Sequence, residues 1–218
     1  MRTSVFSSLC LTFAFVTLHA ANAQGVSGSA VVNEMNLARQ NPALYATYVE
    51  QMRAGFDGKA YAFPGGTRIR TKEGAGALDD AIRFLRSARP VQRLAQSSGM
   101  SRGAADHCAD QASGRRGHGG SGFSNPGSRM NRYGKWSGRW GENISYGKHS
   151  ARDIVLALII DDGLRSRKHR ANIFNPAFNF TGAAFGPHAS YRSVCSISYA
   201  AGYAERGRSS TETLLAGN

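Results

Sequence analysis

The most constraining stretch of this chain is its last long apolar one. Between residues 192 and 203, Cys195, Ile197, Tyr199 and Ala201 alternate with Ser196, Ser198 and Ala200. That is the period of a strand with two unequal faces, and it puts Cys195 on the more apolar one. Residues 181–186 form a second such run, and Pro187-His188-Ala189-Ser190 between the two has the composition of a turn. The chain therefore closes on antiparallel strands. The segments before them have a helical period, and helices first with strands last predict an α+β fold.

The helical segments carry their own punctuation. Residues 29–40 put Val31, Met35 and Ala38 on one face. Pro42 cannot continue that helix but suits the first position of a new one, with Asn41 as its N-cap. The second helix runs to about Met52. Residues 55–77 are rich in glycine and read as a loop or an extended excursion. Leu78, Ile82 and Leu85 mark a third helix, with Asp79 and Asp80 favourable to its dipole and Pro90 beyond its end. In residues 98–112, Met100, Ala104 and Cys108 share a stripe, so Cys108 is expected to face a core. Residues 113–139 read as a long Gly/Ser/Arg loop, of the kind that is usually functional or disordered in a compact domain. Ser150 can cap a helix from Ala151 to about Asp162.

Residues 1–23 read as a secretory leader. Arg2 gives a positive start, the run after Val5 is apolar but too short for a bilayer, and Ala21-Asn22-Ala23 is a small-x-small cleavage site. The expected mature chain, residues 24–218, suits one domain with a core spanning about 29–204. It is expected to be secreted or periplasmic, with no transmembrane segment. The chain holds 27 Lys+Arg against 14 Asp+Glu. Scattered positive charge favours an acidic partner surface without identifying it. Nucleic acid is not expected, because the aromatics are not interleaved with the cations as a stacking platform would need. Beyond the leader two cysteines remain, Cys108 and Cys195. An exported chain permits a disulfide between them, and two packed free thiols are the other reading.

Three segments carry candidate chemistry: Gly117-His118-Gly119-Gly120, Trp140-Gly141-Glu142-Asn143-Ile144, and Asp161-Asp162 followed by Lys168-His169-Arg170-Ala171-Asn172. GENISYG, followed by HRANIFNPAFNFTGAAFG, closely resembles the paired signatures of bacterial domains of the CAP superfamily (cysteine-rich secretory, antigen 5 and pathogenesis-related; SCP-like). The Asn36, Arg39, Pro42 string resembles that family's first helix, and VCSISYAAGY its last core strand. The resemblance spans roughly residues 29–204.

It implies a three-layer α-β-α sandwich with a central antiparallel sheet, and a cleft lined by two histidines and two acids. Carried over residue by residue, these are His118, Glu142, Asp161 and His169. Asp161 stands where the family usually has a glutamate, with Asp162 as its competitor. The gap from His118 to Glu142 is long for the family, which leaves His107 as an alternative first histidine. Arg170 replaces the usual aromatic after the second histidine. Read from the residue types alone, such a cleft could bind a divalent cation such as zinc through His118 and His169. It could equally be a hydrogen-bonded brace. Glu142 between Gly141 and Asn143 could simply cap a tight turn, and Asn172 could close a loop. His107, His149 and His188 are otherwise expected at the surface, as is the run Arg165, Arg167, Lys168 and Arg170.

Two functions follow. One, implied by the resemblance, is a ligand-binding or scaffold module meeting a lipid or a sterol, or through its basic surface an acidic envelope component. The other is a metal-dependent hydrolase using the same cleft. The one G-x-S-x-G string, Gly99 to Gly103, lies inside the helical segment 98–112 rather than on a strand-to-helix elbow, and no H-E-x-x-H motif is present, which favours the first.

Overall fold

The computed structural model describes residues 26–62 and 68–206, so the leader and its expected cleavage point lie outside the described residues. Serines start three of the helices. Ser27 accepts a hydrogen bond from the Ala30 amide at the head of α1 (Gly28–Gln40), Ser97 does the same for Met100 in α4 (Ser98–Gln111), and Ser150 for Asp153 in α6 (Ala151–Ile160). Each such cap satisfies an amide the helix cannot. Pro42 opens α2 (Pro42–Arg53), where Asn41 holds the cap position without a side-chain bond. The third helix, α3 (Ala75–Ser87), begins before Leu78 and takes Asp79 and Asp80 into its body.

Two stretches without periodicity, the first read as a loop or extended excursion and the second as a loop, hold regular elements. Residues 55–77 hold a small antiparallel sheet of β1 (Phe56–Asp57), β2 (Ala60–Ala62) and β3 (Arg68–Arg70). Residues 113–139 hold a short helix, α5 (Pro126–Asn131), whose Asn125 and Ser128 cap each other's amides, and the start of a long strand. A second short helix, α7 (Lys168–Ile173), carries His169.

The main sheet has the order β4-β6-β7-β5, from β4 (Ala95–Gln96), β6 (Phe180–His188), β7 (Arg192–Glu205) and β5 (Gly134–Tyr146). The three long strands are antiparallel. The two-residue β4 runs parallel to β6, so the sheet is mixed at that edge rather than wholly antiparallel. The expected three layers are present. On one face Cys195, Ile197 and Tyr199 join Val31, Met35, Leu78, Ile154 and Ile159 in the principal core. On the other, Met100 and Met130 pack with Ala200, and Cys108 packs with Ile144 and Val194. Each fully buried aliphatic side chain contributes about 1.5–3 kcal/mol. Strand β7 is covered on both sides, which is why it is buried almost continuously from Ser193 to Ala200.

Small residues in β6 let both helical layers come close. A Cβ on Gly182 would strike Met100 and the Ser101 amide in α4, and one on Gly28 of α1 would strike the Ala183 carbonyl from the other side. Arg39 then ties the first helix to the far end of the domain. It is wholly buried, and donates to the carbonyls of Gln92, Ile173, Asn175 and Phe178. Asn36, one turn earlier, exchanges both its amide groups with the backbone of Leu94.

Cys108 and Cys195 are buried free thiols, not a disulfide. The layering gives the reason. Cys108 lies under Val194 on the α4 side, whereas Cys195, the next residue of the strand, points into the core on the opposite face. Adjacent strand positions face opposite ways, so a bridge would have to pass through the sheet.

Candidate functional site

Glu142 sits in the middle of β5, not at a turn, and faces the α4–α5 layer. Its carboxylate is buried and holds four groups. His118 Nδ1 lies 2.8 Å from Oε1, Arg129 donates to Oε2 at 2.7 Å, Ser196 donates to Oε2 at 3.2 Å, and His107 Nε2 lies 3.8 Å from Oε1. Burial alone would push this carboxyl up. The His118 hydrogen bond and the Arg129 charge outweigh it and hold Glu142 below its usual value, as a carboxylate. Arg129 is itself 1% exposed and also donates to the carbonyls of His118 and Ser124. One guanidinium thus fixes both the acid and the loop that carries its histidine.

Asp161 terminates α6 in the left-handed conformation (φ 56°), which Asp tolerates better than most residues. Its carboxylate accepts from the His169 amide at 3.0 Å and lies 2.7 Å from His169 Nδ1. Asp162, the competing acid, is used elsewhere: it accepts the amides of Lys72 and Glu73. The two histidine–acid pairs are linked through Asn143, beside Glu142, which donates to the His169 carbonyl. Asn172 donates to Asn143 Oδ1 and to the Glu142 carbonyl, the loop-closing role expected of it.

The four sequence-assigned residues thus come together as two pairs, His118 with Glu142 and His169 with Asp161. Both acids are buried. His118 is 57% and His169 27% exposed at the side chain. Each imidazole is held at Nδ1, and among the described residues neither Nε2 has a hydrogen-bond partner. A neutral imidazole oriented through Nδ1 by a carboxylate is the form in which histidine ligates metals or accepts protons. Two such imidazoles are donors of the type that divalent cations take. Among the described residues no three His, Cys, Asp or Glu side chains converge closely enough to form a complete cage.

Two histidines expected at the surface are buried. His107 is fully enclosed, with Nε2 against the Gly117 carbonyl and the Gln111 amide, and Nδ1 without a hydrogen-bond partner among the described residues. It is a neighbour of Glu142 Oε1 but lies 1 Å further off than His118. Burial pushes its pKa down, against the pull of the Glu142 charge. Its signal was present in the stripe Gly103, His107, Gln111, a second buried face of α4 beside that of Cys108. His188 is buried in the β6–β7 corner, where Nε2 contacts the Arg115 carbonyl and Nδ1 accepts from Ser190 and Tyr191. His149 is exposed as expected.

The basic run 165–170 is not one solvated face either. Arg165 and Lys168 are exposed, but Arg167 forks onto Glu73 and reaches Asp80, and Arg170 is buried against the Ile159 carbonyl and Asp80. The Arg167 hydrogen bonds hold the Glu73 carboxyl down at about 2. Arg129 is the residue that sequence reasoning missed. A lone arginine in a Gly/Ser-rich stretch gave no periodic signal.

A family model described as the cysteine-rich secretory protein family (CAP) matches residues 80–199, just over half of the chain. Among solved structures the chain is similar to an extracellular protein containing an SCP domain from Bacillus anthracis, at 19% identity and a TM-score of 0.40, covering 55% of this chain and 37% of that one. It is also similar to an outer surface protein from Borrelia burgdorferi (10%, TM-score 0.43, 78% and 96%) and to a cysteine-rich secretory protein from Staphylococcus aureus (12%, 0.36, 64% and 43%). The chain thus spans little more than a third of the Bacillus protein's length. No curated protein is significantly similar to it.

Proposed function

Because the chain belongs to the cysteine-rich secretory protein (CAP) family, we propose that it is an exported binding or scaffold module whose cleft takes a divalent cation, zinc being the best fit, at His118 and His169. The leader would be cleaved after Ala23, giving a secreted or periplasmic domain. Among the described residues no helix is long and apolar enough to cross a membrane. The supporting observation is the matched construction of the two pairs, in each of which a buried carboxylate takes Nδ1 and Nε2 has no hydrogen-bond partner among the described residues. When bound, a cation would supply Lewis acidity or a cross-link to an acidic or lipidic ligand of the envelope. A metal-dependent hydrolase would take its nucleophile from cation-bound water; a binding role is preferred because the sequence holds no diagnostic catalytic motif, and the thiols offer no other nucleophile. Burial pushes Cys108 up to about 11 and Cys195 higher still, so neither is a thiolate at neutral pH.

Calorimetric titration of metal-free protein with zinc at neutral pH tests this. The parent binds. His118→Ala and His169→Ala each weaken binding by roughly tenfold or more, the scale of losing one imidazole ligand or its orientation. His149→Ala binds like the parent. Absence of binding in the parent sinks the cation reading and leaves the pairs as a structural brace.

A further inference from the structure

Several cations in this protein have a carboxylate. Arg53 meets Asp79, Arg86 meets Glu50, Arg132 meets Asp106, Arg152 meets Glu34, and Arg167 and Arg170 share Asp80. At one pole, by contrast, cations gather on loops that carry no acid at all. Three loops meet there: residues 112–118 after α4, residues 147–150 between β5 and α6, and the β6–β7 turn at residues 189–191. Backbone bonds stitch them together, from Ala189 to the Ala112 carbonyl and from Gly147 to the Ser193 carbonyl, and Ser193 Oγ donates to the Lys148 carbonyl. None of these loop segments contains an acidic residue. Arg115, Arg116, Lys148 and Arg192 all lie on them or at their edge, and among the described residues none of the four has a salt-bridge partner.

One of these cations is held in place. Arg116 donates to Tyr191 Oη at 2.7 Å with its guanidinium 5.7 Å from that ring's centroid, and Tyr191 packs on Tyr146 and His188 at centroid distances of 5.3 and 5.2 Å. A guanidinium fixed in this way loses little entropy on pairing with an anion and keeps further N–H donors for it. Tyr191 is the one large exposed hydrophobic side chain on these three loops among the described residues, and beside them only Phe123 is exposed, two residues beyond the Ser121 hydroxyl that Arg115 reaches at 3.5 Å. That is too little apolar surface to enter a bilayer interface, which needs a broad apolar face. It is also too little to stack successive bases. Cations spread over three loops around one aromatic ring suit an extended chain that carries anionic groups on sugar rings.

We propose that the acid-free pole formed by Arg115, Arg116, Lys148, Arg192 and Tyr191 is a docking surface for an anionic polysaccharide, through carboxylate, sulfate or phosphate groups. This rests on reading the chain as an exported binding module but does not need a cation in the His118–His169 cleft.

The test uses heparin as the anionic polysaccharide probe and dextran as the neutral one, with a chelator present so that the cleft cannot contribute. The parent binds heparin with an affinity that falls as salt rises, and does not bind dextran. Arg115→Ser, Arg116→Ser, Lys148→Ser and Arg192→Ser combined weaken binding by roughly thirtyfold or more. Lys59→Ser, Arg89→Ser, Arg165→Ser and Lys168→Ser combined remove the same charge from other exposed positions and weaken it by only about threefold, the long-range part of the field. Circular dichroism verifies folding, and Arg116→Lys, which keeps the charge and the fold, still loses a few-fold through its missing fork. Equal losses from the two quartets overturn the proposal, because net charge would then explain the binding. So does a parent that binds a DNA duplex or phosphatidylglycerol vesicles more tightly than heparin through the same four residues.

Discussion

His118 reaches its acid across 24 residues of sequence, and His169 reaches its acid across eight. The end product is the same in both places, an imidazole held at Nδ1 by a buried carboxylate. The construction is not. Glu142 is anchored mid-strand, and its partners come from α4, the following loop, α5 and β7. Asp161 is a helix terminus that folds back on the next helix, and its carboxylate is satisfied by the amide and ring of one residue. The first pair is a product of tertiary structure and exists only if α5 has docked. The second is a product of local chain geometry.

The largest effect should come from removing the cation that holds the first pair. Arg129→Met leaves the Glu142 carboxylate buried beside His107 with its strongest partner gone. An uncompensated buried charge typically costs about 3–5 kcal/mol, to be read from urea denaturation at neutral pH. Adding Glu142→Leu to that variant removes the stranded charge and should recover a large part of the loss. If Arg129→Met costs no more than a surface substitution, the first pair does not depend on α5 docking and the contrast collapses.

The next effect is one of pH, and it too belongs to the first pair. Burial depresses the folded-state pKa of His107, against Glu142 and with Arg129 and Asp110 as further charged neighbours. The unfolded value is about 6.5. Below it the unfolded chain binds the proton more readily than the folded one, so stability that is full above pH ~6.5 is lost as pH falls toward the folded pKa. Glu142 acts with the same sign at lower pH. Its folded value is below the unfolded value of about 4.3, so its contribution disappears as pH falls beneath that. Unfolding free energies at pH 7.5, 6 and 5 should decline for the parent and stay flatter for His107→Gln. A variant that declines as steeply as the parent would remove His107 from the account.

The same contrast governs how much of the molecule was legible beforehand. Periodicity located α1, α3 and α4 and both strands of the β6–β7 hairpin, because each buries a regular stripe, and cap and proline signals located α2 and α6. It missed β5, whose first half is exposed, glycine-rich and broken by a register shift between Ser137 and Trp140. Helices α5 and α7, of six residues each, are too short to show a stripe. Site residues were recoverable only through family resemblance, which identified the pairs but not Arg129 or the burial of His107. Both depend on what packs above them. Arg170 was misread for the same reason, since its acid, Asp80, lies 90 residues away.

The smallest effects should be those at Asp161, and they come in an order that local geometry dictates. Asp161→Ala removes both hydrogen bonds to His169 and leaves a β-carbon at φ 56° with no compensating polar group. The cost should be about 1–2 kcal/mol, comparable to losing a strong helix cap. Asp161→Gly loses the same bonds but sits at positive φ without strain, and should be less damaging than alanine by a few tenths to about 1 kcal/mol. Asp161→Asn tolerates the left-handed conformation and keeps an oxygen for the His169 amide or Nδ1, so it should cost less than about 1 kcal/mol. Zinc affinity adds a readout that stability does not: alanine and glycine release the His169 ring equally and should lower affinity alike, by roughly tenfold, even though their stabilities differ. If affinity instead tracks stability across the three variants, Asp161 acts on the cation only through the fold. The second pair would then be a helix terminus that happens to end in a histidine's reach.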